Sequence, residues 1–481
     1  MKHEPVIGLE IHARLKTKTK AFCSCPSGFD ADPNRHTCPV CMGLPGALPL
    51  LNRRVVDFAI KAAASFGCAI NLTSLFARKS YFYPDLPKGY QITQFDTPLA
   101  TLGHVTFGSD PGTRTIGIVR MHIEEDAGRC VHDPDNDVSL VDFNRAGAPL
   151  LEIVTGPEIR SPSEAARLVR SVRQTLMYLE ICDGNMEEGS LRCDANVSIR
   201  PKCSDTLGTR TEIKNINSFK FLERALEREI ERQISVVDSG GVIVPATLLY
   251  NQKTDSIMIM RAKEESDDYR YFPEPDLLPL RLDKSWIDEI KNSLPELPPA
   301  KARRFVTHYG LPEYDADLLT SERPLADYFE ACARLAGDPK SVSNWIMTSL
   351  LTELGRVGLP ISSCPVPPQS LARLIKIAKS GGISQKMAKE VLSEMFRSGS
   401  SPDEIVREKG LKQLSAPSEL EAVVDSVLDA NPAEVERYLS GNENMIDFFM
   451  GRVMKYTYGN ANPDTACEIL KTRLERFRRS A

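Results

Sequence analysis

Val141-Asp-Phe-Asn-Arg-Ala-Gly-Ala-Pro-Leu-Leu-Glu-Ile-Val-Thr155 is the stretch on which the reading of the fold turns. It starts as a strand-like segment carrying Asp142, Asn144 and Arg145, breaks at Gly147 and Pro149, and resumes as Leu150 to Val154 with one carboxylate, Glu152, among aliphatic residues. An acid in that setting must leave water, and it persists there only if it is paired, protonated or bound to a metal. Two readings follow: a buried ion pair with Arg145 across the turn, or a functional carboxylate on a sheet.

Other segments read as strands that likewise set polar or acidic residues against apolar ones. From Val6 to Leu15, Leu9, Ile11, Ala13 and Leu15 alternate with Glu10, His12 and Arg14, which reads as a half-buried strand. Its polar side is either a solvated outer face or, through Glu10 and His12, a pair of metal ligands. Ile116 to Asp126 is a second strand and ends in Glu124, Glu125 and Asp126, which repel one another unless a cation neutralises them. Leu191 to Arg200 sets Arg192, Asp194, Asn196, Ser198 and Arg200 against an apolar face, and Arg210 to Asn217 adds Glu212 and Lys214. Polar faces of this kind on strands with apolar backs are expected to line one shared cavity. Helices are expected from Asn52 to Phe66, from Ser161 to about Leu179, and on Phe219, Leu222, Leu226 and Ile230.

Cys23, Cys25, Cys38 and Cys41 are spaced C-x-C, twelve residues, C-x-x-C, in a polar, turn-rich segment. Two close pairs of thiolates suit tetrahedral zinc, and a closed four-cysteine site leaves no position for substrate, so the expected role is structural. Arg78 to Gln94 is an aromatic, basic loop broken by Pro and Gly, of the kind that more often builds sites than cores.

Beyond the Pro-rich run Leu294 to Pro299 the period changes from two to 3.6. Helices are expected at about 300 to 309, 325 to 336, 340 to 355, 368 to 379 and 384 to 397, and Ser398 to Pro402 reads as a hinge. The tail is helical again, and from Arg452 onward it holds seven Lys and Arg against three acids. The expected fold class is therefore α+β: an antiparallel-sheet cradle with flanking helices at 1–294, an all-helical domain at 295–400, and a small helical tail domain at 401–481.

The 481 residues, 42% hydrophobic and 26% charged, suit two or three globular domains. No apolar run approaches the roughly 20 residues that span a bilayer, and no signal peptide is apparent, so a cytoplasmic location is expected. The 12 cysteines then read as one metal site plus ordinary thiols. A net charge of −5 excludes a globally basic nucleic-acid binder but leaves room for a local basic patch. There is no G-x-x-x-x-G-K-[ST] loop, so any nucleotide must be held without a P-loop.

Ile7-Gly-Leu-Glu-Ile-His12, Lys79 to Gln91, His122-Ile-Glu-Glu-Asp-Ala-Gly128, Asp142 to Glu152, Arg192-Cys-Asp-Ala-Asn196, Glu212-Ile-Lys-Asn215, Asp268 to Asp276 and Phe448-Phe-Met-Gly451 together resemble the B-subunit family of bacterial aspartyl/glutamyl-tRNA amidotransferases, over the whole chain. The resemblance implies one polypeptide of a ligase, with a kinase and transamidase cradle, that binds misacylated Glu-tRNA(Gln) or Asp-tRNA(Asn). It would use ATP and Mg2+ to phosphorylate the side-chain carboxylate. In a heterotrimer of such proteins, the A subunit would supply ammonia from glutamine through a tunnel, and the C subunit would brace the pair. Metal ligands would be drawn from Glu10, His12, Glu125, Glu152 and Glu212. Lys79 would gate the tunnel, with Glu125 in both roles, and Arg120, Arg145, Arg192, Asp194 and Lys214 would contact the nucleotide. Arg14, Ser266-Asp267 and Leu249 to Lys253 depart from the family pattern, which affects contacts near Arg261. The alternative from another class is a noncatalytic zinc-containing RNA-binding protein whose acidic strands are a solvated face.

Overall fold

In the computed structural model, the alternation along the first strand places His3–Arg14 at the centre of a nine-stranded sheet. The order across the sheet is Ser256–Ala262, Ala246–Asn251, Thr211–Ile216, Leu191–Pro201, His3–Arg14, Pro149–Thr155, Thr113–Glu125, Ala100–Gly108 and Ala69–Ile70. Neighbours are antiparallel except Thr211–Ile216 against Ala246–Asn251, which is parallel. The structure describes residues 3–28, 31–108, 112–133, 135–202, 204–262, 269–411, 414 and 417–480, without the side chains of residues 215, 261, 262, 417, 479 and 480. Ser266, Asp267 and Asp268, and contacts of the Arg261 side chain, lie outside the described residues.

The apolar backs of the strands are what hold the sheet in place. Ile7, Leu9, Ile11 and Ala13 join Ile123, Leu151, Ile153, Cys193, Ala195 and Val197 in one buried cluster. The helices Arg53–Ser65, Pro162–Tyr178 and Phe219–Asp238 feed Val55, Ala59, Leu168, Val172, Leu222 and Leu226 into the same cluster. Each buried Leu or Ile contributes about 1.5–3 kcal/mol, so the polar faces are left pointing away from the helices on a rigid support. Asn52, Ser161 and Ser218 cap these helices through their side-chain oxygens.

The stretch around Gly147 differs from the single strand-like start expected of it. Val138–Asp142 pairs with Arg129–Asp133 as a separate hairpin, and Asn144 and Arg145 sit in a turn before Pro149–Thr155. The cause is local: Asp142 Oδ1 accepts from Asn144 N at 2.9 Å, and Gly147 takes φ 83°, so side-chain hydrogen bonding and a left-handed glycine displace the ladder.

The chain divides into two compact units, Met1–Pro299 and Ala300–Ala481. The second is helical, with Pro298–Tyr309, Arg323–Ala336, Pro368–Lys379 and Gln385–Ser398 close to the expected spans. Helix Pro339–Val357 contains a π-helical turn at Ile346–Leu350, and the short Glu313–Leu319 helix was not anticipated. Its apolar residues form two separate clusters, one from Phe305 to Ile405 and one from Leu420 to Leu474. Among the described residues no helix is long and apolar enough to cross a membrane.

Candidate active site

Antiparallel register builds the site. It sets His12 opposite Glu152 on one side and Arg192 on the other, and Glu152 opposite His122, so Arg192, His12, Glu152 and His122 form a row across four strands. In a neighbouring row Asp194 faces Glu10. Asn196 lies opposite Glu212 and donates to Glu10 Oε1 at 3.0 Å. All these side chains, with Arg120, line a cavity of about 1120 Å³, and Glu124, Lys79, Tyr269, Tyr271, Asp126 and Arg145 are among the other residues of its wall.

Its most constrained part is a knot of acids and imidazoles. His12 Nε2 lies 3.2 Å from Glu152 Oε2 and 3.4 Å from Glu124 Oε1, and His122 Nε2 lies 3.2 Å from the same Glu152 oxygen. Glu124 is 2% exposed and Glu152 6%, so neither is on a solvated outer face. Burial alone would favour neutral Glu152, but His122 and His12 hold it well below the usual carboxylate range. Burial likewise disfavours charge on His12, yet Glu152, Glu124 and Asp194 raise its pKa to about 9. Glu10 is pushed up by burial and by repulsion from Glu152 and Glu212. Donor atoms of His12, Glu124 and Glu152 lie within 4.8 Å of one another. Two carboxylates and an imidazole at that spacing can hold one divalent cation, with His12 giving up its proton as the cation binds.

The ion pair with Arg145, one of the two readings of Glu152, does not form. Register gives Glu152 to the two histidines, while Arg145, in the turn, donates to the Ala127 and Gly128 carbonyls at 3.0 and 2.6 Å and lies 3.6 Å from Asp126. Glu10, His12, Glu152, Glu212 and Lys79 share the cavity, but Glu125 does not line it. Glu125 sits on the other face of its strand, paired with Lys88 and accepting from Ile92 N at 2.9 Å. Glu124, one residue away, faces the cavity instead. Lys79 lies over the Tyr269 ring at 4.9 Å, and although burial opposes its charge, Glu124, Tyr271 and Glu152 raise its pKa.

The cations expected near a nucleotide are mostly engaged. Arg192 donates to Asp126 at 2.9 Å, and Lys214 meets Glu212 at 2.9 Å and Asp194 at 3.4 Å. Arg120 Nε is buried and, among the described residues, has no hydrogen-bond partner. Sequence reasoning gave no site role to His122, Glu124, Asp126, Tyr269 and Tyr271, although it noted Glu124 and Asp126 in an acidic run that calls for a cation. Strand parity was the available signal for the first three: Arg120, His122, Glu124 and Asp126 share one parity, and Glu125 has the other.

The four cysteines come together as expected from their spacing, with one Sγ from each of Cys23, Cys25, Cys38 and Cys41 within 4.8 Å of the others. The Cys41 thiol is pushed down, by the hydrogen bond from Cys23 first and by the Lys20 ammonium among the lesser causes. The set fits a tetrahedral thiolate site of the kind zinc occupies.

Two family models match the chain: the GatB/GatE catalytic domain over residues 5–288 and the GatB domain over residues 327–474. It is 52% identical over 476 residues to the B subunit of an aspartyl/glutamyl-tRNA(Asn/Gln) amidotransferase from Moorella thermoacetica, covering 98% of this chain and 100% of that one. Similarity to the B subunits of the same name from Carboxydothermus hydrogenoformans and Geotalea uraniireducens is 50% over 478 residues and 51% over 477. These cover 99% and 98% of this chain and 99% and 100% of the relatives. With a matched catalytic domain around this cavity and half its residues identical along nearly its whole length, the chain belongs to the GatB family of amidotransferase B subunits.

Proposed function

We propose that the cavity activates the side-chain carboxylate of Glu or Asp carried on a misacylated tRNA and converts it to the amide. ATP donates its γ-phosphoryl to the carboxylate and ADP leaves; ammonia then attacks the acyl carbon and phosphate leaves, giving Gln-tRNA(Gln) or Asn-tRNA(Asn). Glutamine hydrolysis in a partner A subunit provides the ammonia, and a C subunit makes up the heterotrimer. The observation that carries this reading is the buried convergence of His12, Glu124 and Glu152 beside Lys79.

Magnesium held there would neutralise charge on the phosphates during transfer. Glu124 takes the ligand position first expected of Glu125, while Glu10 and Glu212 stand at the same cavity as further acids. Lys79 supplies fixed positive charge at the cluster. Arg120, with an open donor, and Arg145, Arg192 and Lys214, by exchanging a carboxylate partner or carbonyl for phosphate, orient the nucleotide. Asp194 keeps Lys214 in place. Lys79 and Glu125 keep the tunnel role that the resemblance implies, Glu125 through its pairing with Lys88. One structural zinc is bound by Cys23, Cys25, Cys38 and Cys41.

The helical tail grips tRNA through its basic residues, although Arg473 is already committed to Glu421 and Asp425. The reading as a noncatalytic RNA-binding protein needs the acids on a solvated face, and their burial speaks against it. In the complex assembled with the A and C subunits, Glu124→Gln and Glu152→Gln should abolish most tRNA-dependent ATP hydrolysis while glutaminase activity persists. Wild-type ATP hydrolysis in both variants would reject the assignment.

A further inference from the structure

The four-cysteine segment has no core of its own: between Ala31 and Val40 no residue is buried. Its order must come from the thiols and from hydrogen bonds to the turn at 141–147. Those bonds are reciprocal. Asn34, at φ 63°, donates from Nδ2 to the Val141 carbonyl at 3.0 Å and accepts from Phe143 N at 2.8 Å, and its own N–H donates to Asp142 Oδ1 at 2.9 Å. Asn144 grips in return: its Oδ1 accepts from His36 N at 2.7 Å and its Nδ2 donates to the Asp32 carbonyl at 2.8 Å. These partners fix the amide orientation, because an N–H requires the oxygen and a carbonyl requires the nitrogen.

Lys20, fully buried, joins the same two segments. Its Nζ donates to the carbonyls of His36 at 2.6 Å and Phe143 at 3.3 Å, and lies 3.6 Å from Cys41 Sγ. Gly147 lies against both: a Cβ there would stand at ordinary contact distance, 3.4 Å from the Cys41 Cβ and 3.5 Å from the Lys20 side chain. Asp142, Asn144 and Arg145 line the reaction cavity, whereas Asn34 and Lys20 do not.

We propose that Asn34, Lys20 and Asn144 are positioning residues through which the metal state of the four thiols sets the geometry of the cavity wall at Arg145. With metal bound, the segment is a rigid backing for the turn. Without it the backing loosens, and Arg145 loses its fixed place on the Ala127 and Gly128 carbonyls.

Amide hydrogen exchange on the full chain tests this without any reference to amidation, so it is decided even if the ATP-dependent reading fails. Exchange is followed with zinc bound, after removal of zinc by a chelator, and after zinc is restored, with zinc content measured each time. Amides at 143–147 should exchange faster by on the order of tenfold in the zinc-free protein and recover when zinc returns, while Leu9 to Ala13 stay protected. Asn34→Gly keeps the left-handed backbone and removes only the amide; it should speed exchange at 143–147 with zinc content unchanged. In the assembled enzyme it should lower kcat for amidation more than it raises KM for tRNA. Faster exchange confined to 31–41 after zinc removal overturns the proposal. If zinc removal unfolds the whole first unit, Asn34→Gly decides: unchanged exchange at 143–147 overturns it as well.

Discussion

The two groups of the first unit that could hold a metal bring their donor atoms together by opposite means. His12, Glu124 and Glu152 stand on three neighbouring strands whose other faces are sealed into one apolar core, so their spacing is inherited from sheet register. The four cysteines sit on a segment in which no residue from 31 to 40 is fully buried, and that stretch is held to the turn at 141–147 by Asn34 and Asn144. One group is organised before a ligand arrives, as a site for chemistry must be. The other has the ligand set of a structural zinc site, a class in which order comes with the ion.

This contrast is broken most sharply by removing charge from the sheet-held group. Glu124→Gln or Glu152→Gln should keep the fold and lower tRNA-dependent ATP hydrolysis by about 10²–10³, the usual effect of deleting one electrostatic element. Glu125→Gln, on the other face of the strand, should leave ATP hydrolysis within a few-fold of wild type; a drop as large as that of Glu124→Gln would place the ligand back at Glu125.

A smaller effect is expected on the cysteine side. Cys38→Ser should abolish zinc binding and lower the amidation rate by about 10- to 100-fold, the range seen when an outer support of a site is lost. The sheet-held group should still bind its cation. Loss of that binding in Cys38→Ser would mean that the two groups are not organised independently.

What could be read in the sequence divides along the same line. The alternation of Leu9, Ile11 and Ala13 with Glu10 and His12 was enough to expect an antiparallel sheet with a polar cavity face, because period two is local. The C-x-C and C-x-x-C pairs were legible because metal spacing is local too. The choice between Glu124 and Glu125 could have been made from strand parity, since Arg120 and Glu124 share one face, but the family resemblance pointed to Glu125. Partners of Glu152 depend on register with strands far away in the chain, His12 above all, so the two histidines could not be read from the stretch that contains it. The Asn34 and Asn144 grip joins two distant segments through backbone groups, which carry no sequence signature.

The helical unit supplies the smallest expected change and a control. Asp315 is buried and accepts from Lys340 Nζ and Ser343 Oγ, each at 2.7 Å. Asp315→Ala should destabilise that unit by about 1–3 kcal/mol through the lost buried hydrogen bonds, measured by denaturant unfolding, and leave ATP hydrolysis unchanged. Burial works against its charge, but Lys340 and Ser343 hold its pKa below the ordinary value, so its contribution is present above about pH 4 and fades as pH falls through the depressed value.

The central claim is that His12, Glu124 and Glu152 form a divalent-cation site. It is tested most directly by titrating the full chain with Mn2+ as a paramagnetic stand-in for magnesium and counting bound ions in wild type, Glu124→Gln, Glu152→Gln and Glu125→Gln. The expected result is one ion in wild type and in Glu125→Gln, with binding lost or weakened at least about 10-fold in Glu124→Gln and Glu152→Gln. Undiminished Mn2+ binding in both of those variants, or its loss in Glu125→Gln alone, would contradict the account.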